Sequence, residues 1–291
     1  MFSLVLPTGT LESSIVDLFA AADLLLVDDS LDHVRHTMCH TPYIRRVQFL
    51  PAEEIPFYVE RGLFDIGVTE RIWVAESSAK LTHLTVLYDT ATIRRVPLVL
   101  AVPQETPWQS VRDLPEGIRI ASRVPTLASR YLAAHGKNAE VVISRDASVA
   151  HIPEIADAFV GIASTGAELQ RRGLRILSTI LVNEVELSAS PAIWIEAPKR
   201  TAMLEIAALL RGACEACEKV LIKLVAPVSK LAPIINILSD KSSPSTRVLS
   251  CGDMSAVEAV VPRNGANVLI PMLKGAGARR ILQVSISTVV D

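Results

Sequence analysis

Short apolar segments alternate with segments of helical periodicity in the part of the chain before Pro198. Residues 2–6 form an apolar run that ends at a turn, and residues 11–26 then place apolar side chains at helical spacing. This alternation is typical of α/β layers built around a largely parallel sheet. Further strands are predicted at residues 64–68, 96–102, 118–121 and 156–163, and further helices at residues 55–61 and 126–135.

The pattern changes after Pro198. Residues 199–225 carry a long helical pattern that runs into a strand, and Gly275 and Gly277 end the last predicted helix. The order beyond residue 219 is β-α-β-β-α-β, which predicts a separate ferredoxin-like domain. Its predicted strands are residues 220–225, 246–251, 256–261 and 281–286, and its predicted helices are residues 228–238 and 267–276.

Length and composition predict a globular protein of two or three domains. The chain has 291 residues, more than one hydrophobic core usually supports, with 50% hydrophobic and 21% charged residues. Its net charge of −2 provides no positive field for a nucleic acid or an anionic membrane. Aromatic residues, at 4%, are too scarce for base-stacking surfaces. We therefore expect a small-molecule ligand, with neither nucleic acid nor membrane as a partner.

The N-terminal residues and the cysteines indicate a cytoplasmic protein. The chain starts directly with an apolar strand, has no secretory leader pattern, and contains no apolar run long enough to span a membrane. Four cysteines are too few for a disulfide framework in a chain of this size. Cys214 and Cys217 form a Cys-x-x-Cys pair inside a helical pattern, and no second Cys or His pair complements them, so we expect them to pack along a helix.

A ligand site is indicated where the strand ending at Ala163 meets the next helix through Ser164, Thr165 and Gly166. A small glycine-containing turn before a helix exposes backbone N–H groups, and the helix dipole favours an anion there. A phosphate group would suit this position. The residues are equally compatible with an ordinary helix cap, and sequence alone leaves both interpretations open.

Metal binding is a second candidate chemistry. His33, His36, Cys39 and His40 have spacings that would place them on one face if this segment were helical, and such donors suit Zn²⁺. A surface or partly packed cluster is the simpler expectation, so no metal ligand is assigned.

Seven blocks of the chain have the order and motifs of a known family: residues 6–11 (LPTGTL), 54–62 with 65–68, 119–125 with 130–132, 156–166, 256–262, 273–278 and 281–284. They resemble the long form of ATP phosphoribosyltransferase, the first enzyme of histidine biosynthesis. The segment after residue 156 is similar to the loop of that family that binds phosphoribosyl pyrophosphate.

The resemblance implies an architecture and an activity. It implies two α/β domains like those of periplasmic binding proteins around a cleft, formed by residues 1–92 with 184–218 and by residues 93–183. A C-terminal ferredoxin-like (ACT-like) regulatory domain follows at residues 219–291. The implied reaction transfers phosphoribosyl to N1 of ATP with Mg²⁺ as cofactor. The family also implies an amino-acid effector, histidine, at the C-terminal domain and a homo-oligomer, either a hexamer or a dimer.

The resemblance also assigns site residues. It implies catalytic roles for Arg123, Arg95 and Asp65. Residues expected to bind the substrate and its phosphate groups are Gly9, Thr10, Gly67, Thr69, Glu70, Arg130, Asp157, Gly161, Ser164, Thr165, Gly166 and Ala167.

Several charged positions of the family pattern differ in this chain. Thr8 and Thr10 stand where the family has a lysine and an arginine, Gly161 replaces an aspartate, and Glu168 replaces a threonine. Phosphoribosyl transfer needs cations or Mg²⁺ on the diphosphate that leaves. Two other hypotheses therefore stay open. One is a divergent paralogue that uses the same cleft for another nucleotide-like or amino-acid-derived substrate, and the other is a non-catalytic binding subunit.

Overall fold

The computed structural model of the chain describes residues 1–28, 37–39, 41, 43–87, 93, 95–144, 154–163, 166–239 and 246–289. The chain separates into two compact units, one formed by Met1–Val16 and Leu25–Ala207 and the other by Asp17–Leu24 and Ala208–Asp291. The domain boundaries expected after residues 92, 183 and 218 stay a prediction. Within the described ranges, every helix is too short or too polar to span a membrane.

The first part of the chain alternates strands and helices, as its hydrophobic pattern predicts. The strands predicted at 2–6 and 64–68 and the helix predicted at 55–61 are confirmed, with ends that shift by one or two residues. The elements are β1 (Phe2–Pro7), α1 (Glu12–Ala21), β2 (Leu26–Asp28), β3 (Thr37–Cys39), β4 (Ile44–Leu50), α2 (Ile55–Glu60), β5 (Ile66–Glu70), α3 (Arg71–Ser77) and β6 (Thr82–Leu87).

The prediction that one helix extends from residue 11 to residue 26 is wrong at its C-terminal end. α1 stops at Ala21, and Asp23 takes a left-handed φ of 59°. The N–H of Asp23 donates to the carbonyl of Ala20 (3.1 Å), and the N–H of Leu24 donates to the carbonyl of Phe19 (2.8 Å). These two bonds form a Schellman motif, which ends the helix although apolar residues continue beyond it.

The middle part of the chain confirms the strands predicted at 96–102, 118–121 and 156–163 and the helix predicted at 126–135. It also contains strands that the pattern did not predict. The elements are β7 (Val96–Pro103), β8 (Ile118–Ser122), α4 (Pro125–Ala134), β9 (Ala139–Ile143), β10 (Ala158–Ile162), α5 (Gly166–Arg171), β11 (Leu174–Asn183), β12 (Val185–Ala189), α6 (Pro191–Trp194) and α7 (Ala197–Cys217).

These strands form two mixed sheets, whereas the sequence predicts a largely parallel one. The first sheet has the order β2-β3-β4-β1-β5-β12-β6, and the second has the order β11-β7-β10-β8-β9. β1 is parallel to β4 and β5, and β8 is parallel to β9 and β10. β12 and β7 are antiparallel to their neighbours. The chain leaves the first sheet after β6 and returns through Glu184, between β11 and β12.

α3 follows a strand of the first sheet but packs into the core of the second. Ile72 and Trp73 belong to the same buried cluster as Leu98, Ile120 and Val160, which lie on strands of the second sheet. Both α3 residues are less than a tenth exposed. This packing brings the carboxyl end of β5 close to the carboxyl ends of β8 and β10.

The C-terminal unit has the predicted β-α-β-β-α-β order. Its sheet has the antiparallel order β14-β15-β13-β16, and α8 and α9 pack on one face, with the alternate residues of β13 and β15 buried beneath them. The ferredoxin-like fold is therefore confirmed. Its elements are β13 (Lys219–Pro227), α8 (Leu231–Ser239), β14 (Arg247–Cys251), β15 (Met254–Pro262), α9 (Ala266–Gly275) and β16 (Arg279–Ser285).

Candidate functional site

One pocket, the cleft pocket, lies where the carboxyl ends of parallel strands from the two sheets meet. Its volume is about 230 Å³. Thr10 reaches it from the turn after β1, Glu70 from the end of β5, Arg123 from the turn after β8, and Gly161 from the end of β10. Ligands of open α/β sheets bind outside the carboxyl ends of the strands, so we take this pocket as the candidate site. The remaining lining residues are apolar: Ile72, Trp73, Leu98, Val124, Phe159, Val160 and Ile162.

Two hydrogen-bond donors fix the side chain of Glu70 at the N-terminus of α3. It is the last residue of β5 and the N-cap of the helix. Its Oε2 accepts the indole N–H of Trp73 at 3.1 Å, and its Oε1 accepts an amide N–H of Asn183 at 2.7 Å. The Oδ1 of Asn183 in turn accepts the backbone N–H of Ile72 at 3.1 Å. Each carboxylate oxygen keeps acceptor capacity for a ligand, because a carboxylate can accept about four bonds.

Arg123 brings a positive charge to the pocket. It follows β8 in a turn where the Oγ of Ser122 accepts the backbone N–H of Val124 at 3.0 Å. Its guanidinium carbon lies 5.6 Å from the centre of the Trp73 ring, within the range of a cation–π contact. The side chain is exposed, whereas Trp73 is nearly buried. Among the described lining residues, Arg123 is the single cation.

Gly161 is covered by an aromatic ring of its own strand. Phe159 precedes it by two residues, so the two positions share one face of the sheet. A Cβ built at position 161 would overlap the Cζ and Cε1 atoms of the Phe159 ring. The ring therefore occupies the space of a side chain at 161, and the pocket wall here consists of glycine backbone and an apolar ring.

Arg95 and Arg130 lie outside the cleft pocket. Arg95 pairs with the Oε1 of Glu184 at 2.8 Å, and its side chain is 58% exposed. Arg130, on α4, donates from Nη1 to the carbonyl of Ala75 at 3.1 Å and to the Oγ of Ser78 at 2.8 Å. Arg130 lines a separate open groove on the outer side of α3. Their predicted functional roles remain predictions.

Asp65 stands at the amino end of its strand, opposite the pocket. Its Oδ2 accepts the backbone N–H of Ser3 at 2.6 Å and the hydroxyl of Ser3 at 2.7 Å, and Lys199 lies 3.2 Å from Oδ1. Burial raises the pKa of Asp65, but the hydrogen bonds from Ser3 and the nearby Lys199 outweigh it, so the pKa lies below its ordinary value. The structure does not bring this carboxylate to the other candidate residues.

Asp157 has a similar position on the second sheet. It precedes β10, and its carboxylate accepts three hydrogen bonds from Arg119: from the backbone N–H to Oδ2 at 3.0 Å, from Nε to Oδ2 at 3.2 Å and from Nη2 to Oδ1 at 2.7 Å. Hydrogen bonds from the Arg119 side chain lower the pKa of Asp157. Both aspartates thus secure strand ends that point away from the cleft pocket, and their predicted site roles remain predictions.

Of the glycines and threonines predicted at the site, some lie at the pocket and others lie within β5. Gly9, with φ of 86°, forms the turn that places Thr10 on the pocket. A Cβ at Gly67 would lie 2.8 Å from side-chain atoms of Ile55 and Val59, so this glycine permits close packing of α2 on β5. Thr69 is buried and donates its hydroxyl to the carbonyl of Ala52 at 2.9 Å. Gly67 and Thr69 therefore shape β5 rather than line the pocket.

The predicted phosphate loop is described in part. Gly166 and Ala167 form the exposed first turn of α5, while Ser164 and Thr165 lie outside the described residues. Glu168 of the same helix pairs at 3.6 Å with Arg172, the residue that follows the helix. The assignment of residues 164–167 to a phosphate group stays a prediction.

The cysteine and histidine clusters remain without an assigned ligand. Cys214 and Cys217 lie on α7, which confirms the helical interpretation of the pair. His33, His36 and His40 lie outside the described residues, and Cys39 belongs to β3, so that residue is not helical. Among the residues that the structure does describe, no three His, Cys, Asp or Glu side chains are placed to hold a metal ion.

Three residues that shape the pocket were not predicted from the sequence. Trp73 supports both Glu70 and Arg123, Asn183 holds Glu70 from a distant strand, and Phe159 fills the space above Gly161. The spacing of three between Glu70 and Trp73 was a local signal that the two side chains could meet on a helix. No local signal connects Asn183 with Glu70, because the two residues are 113 positions apart.

Comparison with known proteins identifies the family. The family described as HisG: ATP phosphoribosyltransferase matches residues 51–212, and the family described as HisG, C-terminal domain, matches residues 216–288. The chain belongs to the ATP phosphoribosyltransferase family. This confirms the resemblance seen in the sequence, including the long form with a C-terminal domain.

Relatives within the ATP phosphoribosyltransferase family are similar over nearly their full length. The ATP phosphoribosyltransferase of Chlorobium chlorochromatii (strain CaD3) is 34% identical, and the alignment covers 100% of this chain and 98% of the relative. That of Chlorobaculum parvum (strain DSM 263 / NCIMB 8327) is 35% identical with the same coverage. A solved ATP phosphoribosyl transferase (HisG:HisZ) complex from Thermotoga maritima has a TM-score of 0.61 at 22% identity and covers 74% of this chain and 99% of that one. It confirms the predicted α/β fold.

Proposed function

We propose that this protein is an ATP phosphoribosyltransferase, which transfers phosphoribosyl from phosphoribosyl pyrophosphate to N1 of ATP. The observation that carries the proposal is the convergence of Thr10, Glu70 and Arg123 on one pocket at the carboxyl ends of strands, in a chain of this family. In the reaction, N1 of the adenine attacks the anomeric carbon of the ribose. The bond from that carbon to the diphosphate oxygen breaks, and diphosphate leaves with the electron pair.

Arg123 and Glu70 have the charges that this reaction uses. The Arg123 guanidinium stands in a pocket with mostly apolar walls, where a fixed cation stabilises the charge that develops on a departing diphosphate. Glu70 is fixed by Trp73 and Asn183 and offers free acceptor positions to ribose hydroxyls or to the cationic sugar carbon. We assign the 5′-phosphate to residues 164–167, supported by the resemblance of that segment to the loop of the family.

Mg²⁺ is best treated as part of the substrate. The described part of the pocket offers one carboxylate, Glu70. This donor set is too small for a resident ion. Magnesium commonly binds through substrate phosphates and keeps several waters, so we expect it to arrive on the diphosphate.

Three further parts of the proposal concern the rest of the molecule. We assign residues 1–92 with 184–218 and residues 93–183 to the two halves of the catalytic part and residues 219–291 to a regulatory domain. An amino-acid effector at that domain and a homo-oligomer are inferred from the family. A cytoplasmic location is supported by the cysteine content, since four cysteines are too few for a disulfide framework in a chain of this size.

The test is product formation by the purified protein from ATP, phosphoribosyl pyrophosphate and Mg²⁺, followed with a coupled pyrophosphatase to remove diphosphate. Turnover that is lost in the Arg123→Ala variant is the expected result. A rate equal to that of a control without protein would overturn the proposal.

A second candidate function is supported by the composition of the pocket. Phosphoribosyl pyrophosphate and ATP carry many negative charges, whereas the described lining residues contain one cation and one carboxylate. The Phe159 ring also leaves no polar side chain at position 161. A paralogue that acts on a less anionic, nucleotide-like or amino-acid-derived substrate would fit these features. Thermal-shift titration separates the two candidates, because a ligand that binds the folded protein raises the unfolding midpoint once its concentration exceeds its Kd. Stabilisation by phosphoribosyl pyrophosphate at micromolar concentration would argue against the second.

A further inference from the structure

The first turn of α4 is closed by a carboxylate from α3. The Oε1 of Glu76 accepts the backbone N–H of Thr126 at 3.0 Å, and its Oε2 accepts the backbone N–H of Leu127 at 2.8 Å. Pro125, the first residue of the helix, has no N–H to donate. The N–H of Ala128 already bonds within the helix. Every N–H group of this turn is therefore used, and the helix end binds Glu76 rather than a ligand.

This contact lies directly behind Arg123. α4 begins two residues after Arg123, so whatever fixes the first turn of the helix also fixes the turn that carries the guanidinium into the cleft pocket. Trp73 precedes Glu76 by three residues on α3, and its ring lies beneath the same guanidinium at 5.6 Å. Residues 70, 73 and 76 follow one another at a spacing of three, which places neighbours on one side of a helix. α3 therefore supports the Arg123 turn through two side chains, those of Trp73 and Glu76.

α4 returns the contact at the same, C-terminal end of α3, where Ala75 and Ser78 lie beside Glu76. Arg130 donates to the carbonyl of Ala75 and to the Oγ of Ser78. A carboxylate at a helix N-terminus and a guanidinium at a helix C-terminus both suit the helix dipole. The two helices, which follow strands of different sheets, are therefore joined by contacts in both directions at the C-terminal end of α3.

We propose that Glu76 is a positioning residue that sets the place of Arg123 in the cleft pocket. This inference rests on the proposed function in so far as Arg123 acts on the leaving diphosphate. Without the Glu76 carboxylate, the N–H groups of Thr126 and Leu127 lose their partners, and the turn before them loses its anchor. Arg123 would then leave its place over Trp73, although Glu76 itself never touches the substrate.

A double-mutant cycle tests this relationship. We expect Glu76→Ala to lower kcat/KM by about 10- to 100-fold, mainly through kcat, because a catalytic group displaced by about 1 Å loses rate on that scale. Glu76→Gln retains one acceptor oxygen, so its loss should be smaller. In an Arg123→Ala background, Glu76→Ala should cause almost no further loss. Equal losses in both backgrounds would overturn the proposal.

Glu60→Ala provides a matched control. The Oε1 of Glu60 accepts the backbone N–H of Lys80 at 2.7 Å, so this carboxylate also secures a main-chain segment, but away from the pocket. Its removal should leave kcat and KM unchanged. If Glu60→Ala and Glu76→Ala reduce kcat equally, the role of Glu76 is general stability and the positioning role is excluded.

A fluorescence measurement keeps the proposal testable without turnover. The chain has three tryptophans, and the Trp108→Phe and Trp194→Phe changes leave Trp73 as the only emitter. In that protein, Glu76→Ala should raise acrylamide quenching of Trp73 to the level given by Arg123→Ala, with no further rise in the double variant. Quenching that matches the Glu60→Ala control would overturn the positioning role. Absence of turnover in the parent protein would instead defeat the proposed function.

Discussion

The aromatic ring of Phe159 lies across Gly161 and occupies the space in which a side chain at that position would start. The ring is 4% exposed and packs with the buried residues of its own face of the sheet, including Val99 and Ala121. The two residues therefore act as a pair, in which the absence of a side chain at 161 permits the orientation of the ring. Both also line the cleft pocket, so the pair shapes its wall.

The pair predicts a strongly context-dependent substitution. Gly161→Ala should destabilise the protein by about 1–3 kcal/mol, because the added methyl group meets the Phe159 ring and overpacks the site. In a Phe159→Ala background, the same change should cost almost nothing. Urea unfolding of the two single variants and the double variant measures the coupling.

Gly275→Ala is the control for this cycle, because no atom lies within 4 Å of a Cβ added there. As a helical glycine it should give the same small stabilisation in both backgrounds. Equal costs of Gly161→Ala with and without the Phe159 ring would contradict the pairing.

Arg123 is predicted to act through its charge and its planar shape. Arg123→Ala should lower kcat/KM by about 10²- to 10³-fold, the scale measured when a group that stabilises developing charge is removed. Arg123→Lys keeps the charge but loses the fork of donors, so it should recover only part of the activity. Steady-state kinetics with saturating Mg²⁺ provide the measurement.

Arg61→Ala is the matched control for Arg123, since the Arg61 guanidinium also stacks on an aromatic ring, that of Phe57, at 3.9 Å on α2. We expect full activity in that variant. If Arg61→Ala and Arg123→Ala have the same kinetic effect, the assigned role of Arg123 is wrong.

The sequence predicted the elements of the fold better than their pairing. β1, β7 and the C-terminal unit were evident because their apolar residues form continuous runs or follow a regular order. β11 was missed because two register shifts interrupt its pairing with β7 and its burial does not alternate simply. The antiparallel insertion of β12 between β5 and β6 depends on residues far apart in the chain, which local periodicity does not encode.

The candidate site was predictable at the positions where a motif lies at a strand end. Thr10, Glu70, Arg123 and Gly161 follow or end strands, and all four line the pocket. Asp65 is a carboxylate like Glu70, but it lies at the opposite end of β5. The type of residue alone does not show which end of a strand faces the pocket. Phe159 looked like an ordinary core residue, since its effect on the pocket arises from the glycine two positions later.

Glu184 joins two arginines where the chain returns from the second sheet to the first. Its side chain is 9% exposed and pairs with Arg71 at 2.6 Å and with Arg95 at 2.8 Å. Because both arginines are substantially exposed, Arg71→Ala and Arg95→Ala should each cost only about 0–1 kcal/mol of unfolding free energy. The double variant should cost more than their sum, about 3 kcal/mol, because it leaves a buried carboxylate without a charged partner.

Urea unfolding at pH 7 and pH 5 tests the Glu184 prediction. An unpaired buried carboxylate has a raised pKa, so the double variant should regain stability relative to either single variant as the pH falls. Additive costs with no such recovery would show that Glu184 does not depend on this pair of charges. A large loss of kcat in an Arg95→Ala protein that is still fully folded would support the predicted catalytic role of Arg95.

The contacts of Asp65 predict how the free energy of unfolding changes as the pH falls. The pKa of Asp65 is lower in the folded protein than in the unfolded chain, where an aspartate titrates near pH 3.9, so the unfolded chain binds the proton more readily. The stabilisation is therefore complete above the unfolded pKa and is lost as the pH falls through the folded pKa. Asp65→Asn should cost about 1–2 kcal/mol at pH 7. This cost should shrink as the pH falls below the unfolded pKa, because a protonated Asp65 in the parent no longer attracts Lys199.

Urea unfolding between pH 7 and pH 3 measures the difference between the parent and the Asp65→Asn variant. Asp253→Asn, in an exposed turn of the C-terminal unit, is the control for the removal of one surface carboxylate. Since Asp65 lies at the amino end of β5, away from the cleft pocket, Asp65→Asn should retain kcat at pH 7 as long as the protein stays folded. A large loss of kcat without a matching loss of stability would instead favour the catalytic role implied by the sequence resemblance.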